Sequence, residues 1–134
     1  MKFLLASHTC IRFLNGSHAG VRTQIFAHPP ADIAICSIVK AELLYGAYRS
    51  ARIPANLQRL KAFFEPLRSL PFDDACVQTY GQLRAVLTDK GVAIGANDLL
   101  IAAIGLTHGL TVVTHNTREF GRIDGLKLED WEVD

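Results

Sequence analysis

The sequence has little cysteine, no long hydrophobic run, no low-complexity segment and almost no net charge. Its three cysteines are odd in number and never form a CxxC pair (Cys10, Cys36, Cys76). This usage argues against a disulfide framework or a zinc knuckle and favours a reducing compartment, which we expect to be the cytoplasm. No apolar run approaches the roughly 20 residues of a membrane-spanning helix, so no membrane association is expected. The formal net charge of +1 leaves the class of partner open.

The chain of 134 residues has the length of one ordinary domain, which we expect to cover residues 1–134. Hydrophobic residues make up 49% of it, so the domain can bury a core without needing disulfides.

Short apolar segments alternate with longer segments whose apolar residues recur at helical spacing. Strands are predicted at residues 3–5, 33–36, 68–72, 110–114 and 126–128. Helices are predicted at residues 7–14, 17–27, 37–50, 54–64, 73–90 and 97–109, and residues 116–120 are expected to form a loop or short turn. The proposed capping side chains are Ser7 or Thr9, Ser37, Asp73 and Asn97. Strands separated by helices pair in parallel, so the pattern predicts an α/β fold, a three-layer α/β/α sandwich with a mainly parallel sheet.

Two carboxylates lie on apolar helix faces near predicted helix starts. Glu42 follows Ile38 and Val39 by about one turn, and Asp98 precedes Ile101 at the same spacing. A buried acid without a partner costs several kcal/mol or more, so a cation, a basic side chain or a helix N-terminus should compensate it. One interpretation is structural, with Asp98 in a helix cap and Glu42 as a surface acid. The other is that both acids meet at the carboxyl edge of the sheet and hold a divalent cation.

Five segments carry a recognisable pattern in order along the chain: 2–11, 34–47 around Glu42, 94–102 around Asp98, 112–120 around Asn116, and 126–131. Together they resemble the motifs of the VapC-type toxins, a family of PIN-domain ribonucleases. The resemblance implies a PIN-like fold and a metal-dependent endoribonuclease that uses Mg²⁺ or Mn²⁺ to hydrolyse RNA phosphodiester bonds, with tRNA as the substrate.

The resemblance also implies partners and residue roles. Such a chain is the toxin of a type II toxin–antitoxin pair, forms a homodimer, is inhibited by a VapB-type antitoxin, and contacts operator DNA only indirectly through that antitoxin. By the same resemblance, Glu42 and Asp98 would bind the metal and act in catalysis together with Asn116. The residues expected near the RNA are Ser7, Thr114 and Arg118.

The family's first catalytic Asp falls at position 6, where this chain has Ala6. A methyl group cannot bind a cation, so the chain as it stands is expected to cleave RNA slowly or not at all. It would then be either an inactivated variant of an active enzyme or a natural pseudoenzyme. A catalytically silent module that acts only through antitoxin binding and promoter regulation is the alternative function. A phosphorylatable receiver domain fits less well, because it needs an acid pair after the first strand.

The apolar residues exceed what one small core needs. We expect some of them to line a groove for an antitoxin helix or to form the dimer contact, although core packing alone is the other possibility. The residues concerned are Leu43, Leu44, Tyr45, Tyr48, Leu57, Leu60, Phe63 and Phe64.

The histidines and basic residues are less informative. None of the five histidines pairs at helical i, i+4 spacing, which argues against a histidine metal site. His115 is expected to face solvent or to touch RNA. Five basic residues against one acid between Arg49 and Arg68 indicate either a solvated helix face or a surface for RNA or an acidic partner.

Overall fold

Five short strands form one sheet in the computed structural model, which describes residues 1–132. The strands are β1 (Phe3–Leu5), β2 (Ile33–Cys36), β3 (Arg68–Leu70), β4 (Thr111–Val113) and β5 (Lys127–Glu129). Their spatial order is β3-β2-β1-β4-β5, and all four neighbouring pairs are parallel. In register, Leu4 of β1 lies opposite Ala34 on one side and Val112 on the other. The central strands are apolar because both of their faces are buried.

Seven α-helices connect or follow the strands within residues 1–132. They are α1 (Ser7–Leu14), α2 (Ala19–Ala27), α3 (Ser37–Tyr48), α4 (Ile53–Phe64), α5 (Asp74–Asp89), α6 (Ala96–His108) and α7 (Thr117–Phe120). The chain moves outward from β1 to β3 and then returns past β1 to β4. Right-handed crossovers therefore place α1 to α4 on one face and α5 with α6 on the other. The predicted α/β sandwich is confirmed, and the sheet is parallel throughout the described chain.

Three of the predicted helix caps are wrong, two of them for the same physical reason. At two junctions a strand leads directly into a helix, so the N-cap is Ala6 for α1 and Cys36 for α3, neither with a capping side chain. The neighbouring serines therefore fall inside the first turn, and Ser37 Oγ instead donates to the carbonyl of Leu70 at 3.4 Å. The cap of α6 is Gly95, which places Asn97 within that helix.

Other expected boundaries are close to those observed. Asp73 caps α5 as predicted, because its Oδ1 accepts a hydrogen bond from the backbone N–H of Cys76 at 3.2 Å. β3 ends at Leu70 because its partner β2 ends at Cys36, which lies opposite Leu70 and leads directly into α3. The segment expected to be a loop after β4 contains the short helix α7.

The three cysteines are buried and free, as expected from their spacing. Within residues 1–132, none of the helices combines the length and the apolar character needed to cross a membrane.

Candidate active site

Position 6 lies at the carboxyl end of the central strand β1. The backbone N–H of Ala6 donates to the carbonyl of Val113 at 3.0 Å, and the residue is only 5% exposed. Ala6 has extended backbone angles, φ −78° and ψ 165°, and forms the N-cap of α1. A side chain at this position is therefore held at the sheet edge where the neighbouring strands β2 and β4 also end.

Glu42 returns to this edge because α3 begins immediately after β2. Its carboxylate is half-buried, and its Oε1 accepts a hydrogen bond from Ser7 Oγ at 2.8 Å. The bond joins the first turn of α1 to the second turn of α3. It fixes the Glu42 carboxylate beside the residue that follows Ala6.

Asp98, Asn116 and Glu119 form the other side of the same edge. Asn116 Nδ2 donates to Glu119 Oε2 at 2.8 Å and lies 3.5 Å from Asp98 Oδ2. Glu119 Oε1 accepts a short hydrogen bond from the backbone N–H of Gly95, at the start of α6. The Asn116 backbone N–H in turn donates to Thr114 Oγ1 at 3.0 Å. The amide therefore links the acid of α6 to the acid of α7.

Two of the acids differ in their electrostatic setting. Burial raises the pKa of the Asp98 carboxyl, and the negative charges of Glu119 and Glu42 raise it further, against the opposing effects of Asn116 and His8. The pKa of Glu119 is lowered, because its carboxylate accepts hydrogen bonds from the Gly95 N–H and the Asn116 amide. The charges of Glu119 and Glu42 both act on Asp98, so these two acids lie near enough to Asp98 to affect its ionisation.

The donor set fits a divalent cation. The carboxylates of Glu42, Asp98 and Glu119 and the amide of Asn116 offer the hard oxygen ligands that such ions take. Within residues 1–132 none of these acids forms a salt bridge with Lys or Arg, and the charge of Arg122 is only the weakest of the influences on the pKa of Glu119. Their stabilising contacts come from neutral donors instead.

The structure brings the predicted residues Glu42, Asp98 and Asn116 to the sheet edge at which Ala6 lies. Thr114 is also there, but it is 4% exposed and its hydroxyl holds the Asn116 backbone, so it is better placed for positioning than for contact with RNA. Arg118 is exposed on α7.

Sequence reasoning missed Glu119. It was treated as part of a loop, whereas it is the third residue of α7 and contacts both Asn116 and the start of α6. The spacing Asn116-x-x-Glu119 resembles a capping box and could have indicated a helix start here. A capping box would have the Glu119 carboxylate accept from the backbone N–H of Asn116. In the structure the donors are instead the backbone N–H of Gly95 and the side-chain amide of Asn116.

Comparison with known proteins agrees with this geometry. The PIN domain family matches residues 4–126. The chain is 37% identical over 131 residues to the tRNA(fMet)-specific endonuclease VapC of Salmonella typhimurium, covering 98% of each chain. It is 45% identical over 100 residues to Ribonuclease VapC2 of Rickettsia felis, covering 75% of each. The crystal structure of DNA-bound VapBC from Salmonella typhimurium matches with a TM-score of 0.92 and 37% identity over 98% of both chains.

A parallel sheet with acids gathered at its carboxyl edge defines a PIN-domain protein, a class of nucleases that generally use a divalent metal. Within that class, this chain belongs to the VapC family of ribonucleases.

Proposed function

We propose that this chain is the toxin of a type II toxin–antitoxin pair, built as a divalent-metal-dependent endoribonuclease whose cleavage is suppressed by Ala6. One observation carries the proposal. Three acids from three helices (Glu42, Asp98, Glu119) converge at the sheet edge where Ala6 lies, and within residues 1–132 none of them forms a salt bridge with Lys or Arg.

The residues have distinct tasks in this proposal. Asp98 and Glu42 hold the cation, with Glu119 and Asn116 beside them. Bound there, a divalent ion supplies an activated water and neutralises charge that develops on the phosphate. Ser7 orients the Glu42 carboxylate through its 2.8 Å hydrogen bond. With Ala6 in place of a carboxylate, the site lacks the ligand that the central strand would provide.

The substrate and setting follow from the family rather than from the geometry. We assign tRNA as the RNA, in keeping with the Salmonella relative, and Mg²⁺ or Mn²⁺ as the ion, since both take carboxylate oxygens. Arg118 is exposed beside the site, and we assign it a phosphate contact. We assign Ser7 a place near the RNA, whereas the buried Thr114 is assigned to positioning Asn116. The free cysteines support a cytoplasmic location, and the one continuous sheet supports a single domain.

The partner is a VapB-type antitoxin, because the matching Salmonella structure is a toxin–antitoxin complex on DNA. Operator DNA would then be reached only through the antitoxin. A groove of about 280 Å³ between α1, α3 and α4 is suited to an antitoxin segment, since it is mostly apolar and runs up to Glu42. Its apolar lining comprises Ile11, Leu14, Leu43, Gly46, Ala47 and Leu60.

Of the eight apolar residues expected to line a groove or form the dimer contact, five fall into two clear groups. Leu43, Leu60 and Phe63 are buried and belong to the core. Tyr45 and Tyr48 are 69% and 61% exposed on α3, and we assign this face to a homodimer contact.

The test is to restore the missing carboxylate. Ala6→Asp should give divalent-metal-dependent cleavage of tRNA that is absent from the parent chain, measured on gels with EDTA as the metal-free arm. Adding Glu42→Gln to that variant should lower the rate by at least about 100-fold, because a transition-state interaction is lost. Cleavage that survives this double change would count against the proposed site.

A silent module that acts only through its antitoxin is the second candidate, favoured by the methyl group at position 6. It predicts that Ala6→Asp cleaves nothing while antitoxin binding and promoter occupancy persist. The two candidates are therefore separated by the same variant.

A further inference from the structure

A second cluster of polar side chains lies at the same sheet edge, after strands β4 and β5. His115 Nδ1 is 3.0 Å from Asp130 Oδ2 and 3.8 Å from Glu132 Oε2. One ligand atom from each of the three residues lies within 4.8 Å of the others. Within residues 1–132 this is the one trio of histidine, cysteine or acid side chains that meets this criterion. The acids of the candidate active site are more widely spread.

The spacing fits a small divalent ion. An ion bound at about 2.1 Å needs ligand atoms roughly 3.0 Å apart at an octahedral corner and roughly 3.4 Å apart in a tetrahedron. The two distances from His115 Nδ1, 3.0 and 3.8 Å, bracket these values. The ligand atoms of Asp130 and Glu132 lie within 4.8 Å of each other, so the two carboxylates would draw together around an ion.

Other contacts hold both carboxylates in place. Asp130 Oδ1 accepts from the backbone N–H of Glu132 at 2.9 Å, and Glu132 Oε1 accepts from Arg12 Nε at 3.1 Å. Each acid therefore keeps its second oxygen directed at the imidazole. The acid side chains are 17% and 8% exposed, whereas that of His115 is 63% exposed. The protein thus supplies one side of the site and leaves the other side open to water ligands.

We propose that His115, Asp130 and Glu132 bind a first-row transition ion, with Zn²⁺ as the best fit. An imidazole nitrogen beside two carboxylates suits such an ion better than Mg²⁺, which takes oxygen ligands. The ion would join the β4–α7 junction to the segment after β5. The site departs from the expectation that no histidine binds a metal, because it needs one histidine beside two acids rather than a pair of histidines on one helix. It is independent of the nuclease proposal and requires no RNA.

Trp131 offers a direct readout. It is the only tryptophan in the chain, it is buried, and it lies between Asp130 and Glu132. Co²⁺, which quenches nearby indole fluorescence, is titrated into the tag-free chain in excess Mg²⁺, and Zn²⁺ is then added as competitor. The expected result is saturable quenching that Zn²⁺ reverses. His115→Gln and Asp130→Asn should each weaken Co²⁺ binding by about tenfold or more.

Matched controls use His108→Gln and Asp124→Asn, exposed residues outside the cluster, which should leave the titration unchanged. Asp98→Asn should also leave it unchanged, which separates this site from the candidate active site. Because His115 is largely exposed, its variant should fold even where Asp130→Asn does not, and tryptophan emission in EDTA checks this. Quenching unaffected by His115→Gln, or abolished by Asp98→Asn, overturns the proposal. Absence of saturable quenching means that the cluster is an ion pair only, which also overturns it.

Discussion

Replacing Ala6 by Asp should lower the stability of the metal-free protein, although aspartate is a better helix cap than alanine. Ala6 is the N-cap of α1 and has no side-chain cap, so an Asp there gains about 1 kcal/mol from capping. The same carboxylate would lie at the sheet edge to which Glu42 and Asp98 converge. Two carboxylates about 6 Å apart at an effective dielectric constant of about 20 repel each other by roughly 3 kcal/mol. Repulsion therefore exceeds the capping gain.

The expected net loss is about 2 kcal/mol, or roughly 6–10 °C in melting temperature for a chain of this size. The assay is thermal unfolding followed by circular dichroism in EDTA and in excess Mg²⁺. Mg²⁺ should restore most of the stability that Ala6→Asp loses, because a bound cation stabilises only the folded state.

Ala6→Asn is the matched control, since it caps as well as Asp but carries no charge. It should be at least as stable as the parent chain in EDTA and should respond little to Mg²⁺. If Ala6→Asp equals Ala6→Asn in EDTA, or gains no more from Mg²⁺, a carboxylate at position 6 does not approach the other acids and the proposed metal site is refuted.

Three further outcomes follow from the structure. Burial and neighbouring acids raise the pKa of Asp98, so the ionised carboxylate destabilises the fold above that pKa. Asp98→Asn should therefore be more stable than the parent chain at pH 7. Urea unfolding should show this advantage shrinking towards pH 4. Gly105→Ala should cost about 1–3 kcal/mol in thermal unfolding, because its Cβ would lie 2.8 Å from a valine methyl of β4. Gly81→Ala is the control, because a Cβ there would meet no atom within 4 Å, and it should gain about 0.5–1 kcal/mol of stability. If the two substitutions changed stability equally, the close packing of α6 against β4 would be contradicted. Ile11→Asp in the α1–α3–α4 groove should weaken antitoxin binding by about tenfold or more in calorimetry, whereas the exposed Val77→Asp should not.

The fold was predictable because its signals are local. The strands β1, β2 and β4 are short runs of apolar residues, and the intervening segments carry helical periodicity. Parallel pairing then follows from chain connectivity alone. Glu42 and Asp98 stood out because each acid occupies an otherwise apolar helix face.

The features that sequence reasoning missed depend on contacts between distant segments. Glu119 joins the site through Gly95, which is 24 residues earlier in the chain. His115 meets Asp130 only because β4 and β5 are neighbours and end at the same edge. The helix caps depended on strands that run into helices without an intervening loop. Periodicity carries no information on any of these contacts.

The contacts of the remaining acids indicate what Ala6 changes in the site. Neutral donors hold its acids in place: Ser7 on Glu42, and Asn116 with the Gly95 N–H on Glu119. Such donors orient a carboxylate without placing a positive charge beside it, while burial and then the charges of Glu119 and Glu42 raise the pKa of Asp98. A fold that needed these acids only for stability would be expected to pair them with Lys or Arg. Ala6 therefore removes one ligand from a site whose other acids remain oriented and charged, and this is why a single substitution is expected to restore cleavage.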